Sequence, residues 1–337
     1  MDRATAAAVY TTPALEALEA FPVALGEISL LTVAENVSFR VTDRDSGDQF
    51  VLRLHRPGYH TFEELVSERA WTRALNEVGI PAPLGIRAMD GRDYVEAAVP
   101  KAGERRHAGL LRWTDGKLLA DVLARKPEPG RTAAYYRQLG ALEGAMHNQS
   151  SAWNPPAGFV RHHLDIDGLL GETPFWGRFW EHPKLCLDER KLLLSARDRM
   201  RDRLQRFGKK PSNYSVVHAD LHPNNVLVAA DGLAVIDFDD AGFGWHAYDI
   251  AVALFAVRDK ADFETFKAAF LDGYTSRRAL EPEADSLIPM FILIRGMASI
   301  GWLAQRPELN SPDYRQAFEE IRGWVIQGCR ALELNPA

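Results

Sequence analysis

The stretch VVHADLHPNNVLV, residues 216–228, places polar side chains between two apolar runs. It carries Asp220 and, farther along, Asn225, while Asp237 closes the next apolar run, LAVID. Phosphoryl transfer needs a carboxylate that orients the acceptor hydroxyl and oxygen ligands that hold a divalent cation. The spacing H-x-D-x-x-x-x-N, followed by an acid after the next hairpin, supplies both. We predict that Asp220 is the catalytic base and that Asn225 and Asp237 bind Mg²⁺, which prefers oxygen ligands.

The histidines of this stretch allow a different prediction. His218, Asp220 and His222 are all competent zinc ligands, so a zinc hydrolase is an alternative. Against it, the chain has no second histidine cluster with ligand spacing, and the pair His162 and His163 stands alone. We therefore expect His218 and His222 to brace the loop through hydrogen bonds.

The composition is that of an ordinary globular protein. The chain has 337 residues, of which 46% are hydrophobic, and its 46 acidic and 40 basic side chains give a formal net charge of −6. A nucleic-acid-binding protein usually shows a basic excess, so no nucleic-acid partner is expected. We expect no signal peptide at the N-terminus, and the sequence has no run of about 18 apolar residues. Cys186 and Cys329 form no paired motif, and we expect a cytoplasmic protein with reduced thiols and no membrane partner.

The first third of the chain has the pattern of a small sheet. Residues 28–56 contain β-branched and aromatic runs that flank the turn signal DRDSGD, which predicts a hairpin. A helix follows, with Thr61 as its N-cap and Glu64 in the capping-box position. The strand-like runs DYVEAAVP and AGLLRWTDG come next, and an earlier helix begins near Pro13. We predict that residues 1–113 form an antiparallel sheet with one helix, preceded by the N-terminal helix.

The rest of the chain is mainly helical. Long stretches after Gly116 have apolar residues at helical spacing, among them TAAYYRQLGALEGAMHNQS and SLIPMFILIRGMASIGWLAQ. One β island interrupts them at 214–238, and its loops carry the polar residues described above. We predict a second, helical domain over 114–337 and an α+β fold for the whole chain.

The polar motifs together resemble a known family. HADLHPNNVLV, IDFDDAG and YDIAVAL resemble the aminoglycoside phosphotransferase and choline kinase-like family, and within it the bacterial group of homoserine kinase-like and stress-response Ser/Thr kinase-like members. The resemblance covers roughly residues 25–330. It implies a two-lobed protein-kinase-like fold and an enzyme that uses ATP and Mg²⁺ to phosphorylate a hydroxyl group of a small molecule.

The resemblance also implies phosphate contacts early in the chain. The segment AENVSFRV corresponds to the loop that positions the nucleotide, but it lacks the G-x-G-x-x-G of protein kinases. Members of the family commonly have a polar turn here. Glu35, Asn36 and Ser38 are therefore the candidates for contact with the nucleotide.

Three further nucleotide contacts follow from the same resemblance. Arg53, in FVLRLHR, takes the position of the lysine that contacts the phosphates, and arginine keeps the charge with a different reach. Glu68, on the first helix after the hairpin, corresponds to the acid that anchors this cation. LLRWTDG resembles the hinge, so the backbone from Leu111 to Trp113 is expected to hold the adenine.

Two alternatives to a small-molecule kinase stay open. The acceptor could be a serine or threonine of a protein. The missing glycines and Arg53 leave open a nucleotide-binding pseudokinase, whereas Asp220, Asn225 and Asp237 argue against it. The sequence defines neither the acceptor nor the oligomeric state.

Other polar and aromatic features have structural explanations. GFGWHA at 242–247 fits the dinucleotide fingerprint, but a lone match is weak, and we expect its glycines to turn the chain. The aromatic residues of 151–187 are expected to pack rather than to bind a ligand. Asp249 is expected to cap or brace a loop. For Asp239 and Asp240, a metal or substrate role and a solvated turn are both open.

Overall fold

The computed structural model describes residues 2–34, 36–307, 309 and 311–334, and the chain divides into two compact units. The first unit comprises Met1–Lys117, Asn154–Val160 and Leu227–Asp237, and the second comprises Leu118–Trp153, Arg161–Val226 and Phe238–Ala337. The first segment of the first unit ends at Lys117, and the predicted domain boundary lies after residue 113. The two later segments of the first unit were predicted in the second domain.

An antiparallel sheet and two helices form the first segment of the first unit. In chain order the elements are α1 (Arg3–Leu18), β1 (Leu25–Val33), β2 (Val37–Asp43), β3 (Gln49–Leu54), α2 (Phe62–Glu77), β4 (Gly85–Ile86), β5 (Val95–Val99) and β6 (Glu104–Arg112). The sheet has the order β1-β2-β3-β6-β4, and β5 also pairs with β6. The predicted hairpin is β2–β3, closed by the turn at 43–48.

The two faces of strand β3 have different roles, because one packs in the hydrophobic core and the other carries Arg53. Phe50, Leu52 and Leu54 alternate along it and are buried in the core. Because successive side chains of a strand point to opposite faces, Arg53 is directed to the other face. Its partner across the β2–β3 pair is Ser38.

The two helices of the first unit differ in how well their starts were predicted. Helix α2 begins with the predicted capping box, because Thr61 Oγ1 accepts from the Glu64 amide and Glu64 accepts from the Thr61 amide. The start of α1 near Pro13 is wrong. Asp2 caps this helix by accepting from the amides of Ala4 and Thr5, so Pro13 lies inside it.

The remaining elements are mostly helical. In chain order they are β7 (Lys117–Leu118), α3 (Leu119–Ala124), α4 (Pro129–Ala152), β8 (His163–Leu164), α5 (Ile166–Leu170), α6 (Leu187–Phe207), β9 (Tyr214–Val217), β10 (Val226–Ala229), β11 (Gly232–Val235), β12 (Gly242–Trp245), α7 (His246–Phe255), α8 (Phe263–Thr275), α9 (Pro282–Ala304) and α10 (Pro312–Leu334). This order confirms the predicted α+β chain with a β island between helices.

Glycines let α4 and α8 approach backbone to backbone. A Cβ atom on Gly140 would lie 2.0 Å from the carbonyl oxygen of Phe270, and one on Gly273 would lie 1.9 Å from that of Arg137. Real Cβ atoms do not come so close to a carbonyl oxygen, so only glycine fits at these two crossing points.

Helix α9 is the apolar centre of the second unit. By length and composition alone it could cross a membrane, but 61% of its apolar window is buried inside the structure. It packs against α7 and α10. Among the described residues it is the only helix that meets the length and composition of a membrane span, and here it serves as a core helix.

Two short segments differ from their predicted roles. The hairpin β10–β11 belongs to the first unit, where the Val235 amide donates to the carbonyl of Pro81 at 3.1 Å. The predicted turn at GFGWHA is wrong, because Gly242–Trp245 forms strand β12 between β8 and β9. A side chain on Gly242 would meet His162 at 2.7 Å, so this glycine serves close packing and not a turn.

Candidate active site

A strained loop between β9 and β10 carries Asp220 and Asn225. Ala219 has a positive φ of 64°, which is uncommon for a residue with a side chain. The buried carboxylate of Asp249 accepts from the amide of His218 at 3.0 Å and from that of Ala219 at 2.7 Å. These two hydrogen bonds hold the loop in its strained form. The predicted loop-bracing role of Asp249 is confirmed.

Asp249 is itself held by a buried polar network. His147, on α4, donates from Nε2 to Asp249 Oδ2 (3.0 Å), and its Nδ1 accepts from the Tyr274 hydroxyl (2.9 Å). Glu143 lies one turn earlier on α4, fully buried, and its nearer carboxyl oxygen is 4.0 Å from His147 Nε2. Burial raises the pKa of Glu143 well above its usual value, and the charge of Asp249 adds to the effect. Burial therefore favours the neutral, protonated form of Glu143.

The Asn225 amide fixes the Asp220 carboxylate. Asn225 Nδ2 donates to Asp220 Oδ2 at 2.8 Å and to the Asp220 carbonyl at 2.9 Å. His222 Nε2 lies 3.3 Å from the same carboxylate oxygen. Within the described part of the chain, every hydrogen bond of the Asn225 side chain uses its nitrogen, so Oδ1 remains available to a cation.

The two loop histidines brace the loop, as predicted. The ring nitrogen Nδ1 of His218 accepts from the Asp220 amide at 3.2 Å, and Nδ1 of His222 accepts from the Asn224 amide at 3.2 Å. Among the described residues, His218, Asp220 and His222 do not bring three donor atoms within 4.8 Å of one another. This geometry does not support the zinc alternative.

Sequence reasoning missed Arg295. This side chain comes from α9, and its guanidinium forms an ion pair with Asp220 Oδ1. It also lies over the ring of Trp176, with Cζ 5.5 Å from the ring centroid. The sequence does contain a signal for it, because Arg295 is the one charged residue in the apolar run SLIPMFILIRGMASIGWLA. A cation at such a position needs a buried partner.

The charges around Asp220 keep it ionised. Burial raises the pKa of Asp220, but the charges of His222 and Arg295 outweigh burial and hold the pKa well below its usual range. Burial acts against the charge of Arg295 too, yet Asp220, followed by Tyr248 and Asp240, raises the pKa of Arg295. Asp220 is therefore a carboxylate that can orient a hydroxyl group at any physiological pH.

The first unit brings Arg53 and Asp237 together. Arg53 Nη2 lies 3.2 Å from Asp237 Oδ1, and the Asp237 side chain is 43% exposed. Asp237 has a positive φ of 63°, so it shares with Ala219 a backbone conformation that is uncommon for residues with a side chain. Ser38 is buried on the strand beside Arg53.

Glu68 is the acid predicted to anchor Arg53. Glu68 is buried on α2. Burial raises the pKa of Tyr94, and the charges of Arg69, Glu68 and Arg53 also act on this ring, so the three ionic groups share one neighbourhood. The pairing of Glu68 with Arg53 stays a prediction.

Several polar groups of the predicted nucleotide loop and hinge already form hydrogen bonds within the first unit. Asn36 Oδ1 accepts from the Arg56 amide at 2.9 Å, and Glu35 lies outside the described residues. In the hinge, the Trp113 amide donates to the carbonyl of Gln49 at 2.9 Å. The Arg112 amide donates to the carbonyl of Leu84 at 2.8 Å. Leu111 itself lies within strand β6, opposite Val51 of β3 and Gly85 of β4, and the adenine contact of this segment stays a prediction.

The aromatic stretch packs, as predicted. Trp176, Phe179 and Trp180 are all buried. The Trp176 indole donates to Asp240 Oδ2 at 3.3 Å, so Asp240, which lies partly exposed in the turn at 239–240, holds this ring.

Known proteins resemble this chain over most of its length. Amicoumacin kinase of Bacillus subtilis strain 168 is 27% identical over 301 residues, which cover 85% of this chain and 82% of that protein. A homoserine kinase of Parvibaculum lavamentivorans is 29% identical over 301 residues, which cover 86% and 85%. The solved structure of a microcompartment-associated aminopropanol kinase is 29% identical, covers 95% of each chain and has a TM-score of 0.80.

A family model confirms the predicted relationship. The model described as "Phosphotransferase enzyme family" matches residues 28–285, which is more than half of the chain and includes Asp220, Asn225 and Asp237. The predicted α+β, kinase-like fold agrees with that of the aminopropanol kinase. The chain therefore belongs to the phosphotransferase enzyme family, and it is an enzyme that transfers a phosphoryl group from ATP to a hydroxyl group of a small molecule.

Proposed function

We propose that Asn225 and Asp237 hold the magnesium ion that accompanies ATP. An amide oxygen and a carboxylate are the hard oxygen donors that suit Mg²⁺. The amide nitrogen of Asn225 is anchored on Asp220, which leaves Oδ1 for the cation, and the Asp237 carboxylate is partly exposed. When bound, the cation neutralises negative charge on the nucleotide phosphates.

Arg53 supplies the second positive charge for the phosphates. Its guanidinium lies on the sheet face opposite the core and can bind phosphate oxygens in a bidentate manner. Glu68 orients it, and Asn36 and Ser38 form the adjoining part of the nucleotide site. The carbonyl groups between Leu111 and Trp113 accept from the adenine.

Asp220 orients the acceptor hydroxyl for in-line attack on the terminal phosphoryl group. Its lowered pKa makes it a weak base, which suits a loose transition state in which the proton leaves late. Its role is thus first to align the hydroxyl oxygen and then to receive the proton.

The observation that carries this proposal is the braced loop that fixes Asp220 against Asn225. Asp220→Asn is expected to fold and to bind Mg-ATP, and to lose phosphoryl transfer by about 10²–10⁴-fold, the usual contribution of a positioned base. Coupled ADP-release kinetics with the acceptor and calorimetry with Mg-ATP measure the two properties. A variant that keeps its turnover removes Asp220 from this role.

The metal assignment has its own test. Asp237→Ala is expected to weaken Mg²⁺-dependent binding of AMP-PNP about tenfold or more, because a charged ligand is lost. Asp231→Ala is the matched control, since Asp231 is an exposed acid in the turn of the same β10–β11 hairpin. Equal nucleotide affinity of the two variants would show that Asp237 does not bind the metal.

The acceptor is expected among small hydroxylated metabolites. Amicoumacin, homoserine and aminopropanol kinases resemble this chain to a similar degree, so a screen has to cover amines, amino acids and amino alcohols. We place the enzyme in the cytoplasm, without a nucleic-acid or membrane partner, since ATP and reduced thiols are found there. ADP release across such a panel identifies the acceptor.

A further inference from the structure

A cavity of about 740 Å³ lies in the second unit beside the catalytic loop. Its walls come from α3, the start of α4, the loop residues His222 to Asn224, the end of α7 and α9. Arg295 and His222, which both contact the Asp220 carboxylate, line it. The volume is in the range of small-molecule sites. A small acceptor bound here can therefore reach Asp220.

The charges of the cavity wall are mostly positive. Lys126 and Lys260 line it and are exposed, and Asp262 is the one acid among its described lining residues. In the described part of the chain neither lysine forms an ion pair. Arg295 is already neutralised by Asp220, so the two lysines are the charges available to a ligand.

One buried hydroxyl of the cavity wall lacks a partner. Tyr136 lines the cavity, is 0% exposed and stacks on Phe266, another lining residue, at 5.6 Å. Its hydroxyl has no hydrogen bond within the described structure. Burial raises the pKa of Tyr136, so the group stays protonated and can donate. An unpaired buried donor is costly, and an anionic ligand would satisfy it.

We propose that this cavity is the acceptor site and that it selects an acceptor that carries an anionic group besides its reacting hydroxyl. Lys126 and Lys260 attract that group, Tyr136 donates a hydrogen bond to it, and the hydroxyl end lies at Asp220. This inference rests on the proposed function. A purely cationic acceptor would meet two like charges and is disfavoured.

Calorimetry on the full chain with AMP-PNP and Mg²⁺ tests the charge preference. The probes are 4-hydroxybutyrate, glycerol 3-phosphate, 1,4-butanediol and 4-amino-1-butanol, which present a carboxylate, a phosphate, a neutral end and a cation. We expect an anionic probe to bind about tenfold or more tightly than the neutral and cationic probes, as hydrogen-bonded ion pairs do. Tighter binding of the amino alcohol, equal binding of all probes or no binding by any probe would overturn the proposal.

Variants locate the anion within the cavity. Lys260→Glu and Lys126→Glu are expected to remove the preference for the anion, whereas Lys191→Glu, an exposed site on α6, retains it. Tyr136→Phe deletes only the unpartnered hydroxyl, so it is expected to weaken anion binding several-fold without lowering stability. Unchanged anion affinity in all three cavity variants would place the anion elsewhere and overturn the proposal.

ADP release separates this inference from the proposed function. If no hydroxylated compound stimulates ADP release while the anionic probe still binds through Lys260, the preference of the cavity for an anion stands and its role as the acceptor site of a kinase fails. If turnover occurs and the best acceptor lacks an anionic group, the kinase function stands and the charge preference fails.

Discussion

The Asp220 carboxylate has partners on both of its oxygens before any ligand arrives. Oδ1 pairs with Arg295, and Oδ2 accepts from Asn225 and lies beside His222. The spacing in the sequence identified Asp220 and Asn225, because both belong to one loop of fixed length. Arg295 could not be placed in this way, since it comes from a helix 75 residues farther along the chain.

Removing the Arg295 charge is expected to change the pH dependence of the enzyme. Asp220 must be ionised to act, so activity is lost as the pH falls through its pKa. Arg295 is one of the charges that lower this pKa. In Arg295→Met the pKa rises and the acid limb of kcat/KM moves to higher pH, whereas Arg295→Lys, which keeps the charge, moves it less. An acid limb that stays in place in the Met variant would contradict this account.

At the scale of elements, helices were easier to predict than their contacts. The capping box of α2 is local and was predicted correctly, whereas the start of α1 was missed because Pro13 suggested a first turn. Close approach of α4 to α8 depends on Gly140 and Gly273, which no periodicity of apolar residues reveals. A glycine in a helical pattern indicates close packing only once the neighbouring backbone is known.

The helix crossing gives a stability prediction. Gly140→Ala places a methyl group against the carbonyl oxygen of Phe270 and is expected to cost roughly 1–3 kcal/mol of unfolding free energy, the usual range for overpacking. Gly130→Ala, in the first turn of the same helix with open space around it, is expected to leave the unfolding free energy unchanged or to raise it by up to about 0.5 kcal/mol through helix propensity. Urea denaturation compares them, and equal stability of the two variants would contradict the packing account.

At the scale of the whole molecule, the chain leaves its first unit and returns to it twice. Ser67 Oγ accepts from the Val160 amide at 2.9 Å, and the β10–β11 hairpin joins the first unit through Pro81. The sequence predicted the existence and type of most elements, as well as the family. It did not predict these returns, because hydrophobic patterns are local and hydrogen bonds between distant segments leave no periodic signal.

The buried acid Glu143 is expected to shape the stability of the molecule against pH. Its folded-state pKa is raised, so its contribution is fully present below the unfolded-state pKa and is lost as the pH rises through the folded value. One such group changes the unfolding free energy by at most about 1.4 kcal/mol per pH unit. Glu143→Gln is expected to remove this decline, which begins as the pH rises above the ordinary glutamate value of 4.5, and urea denaturation across pH measures it. The exposed Glu77→Gln is the control, and an unchanged slope in the first variant would show that Glu143 is not the source.

The pairing of Arg295 with Asp220 also affects whether bound ATP is hydrolysed by water. Water is always present near a bound nucleotide, and a free catalytic carboxylate would align it as readily as an alcohol. Because the charge of Arg295 lowers the pKa of Asp220, the carboxylate is a weak base, and a water molecule gains little other binding energy at this site. An acceptor held in the cavity gains that energy from its contacts with the cavity wall. The ion pair between Arg295 and Asp220 thus limits hydrolysis of ATP by water. An enzyme without Arg295 is expected to hydrolyse ATP when no acceptor is present.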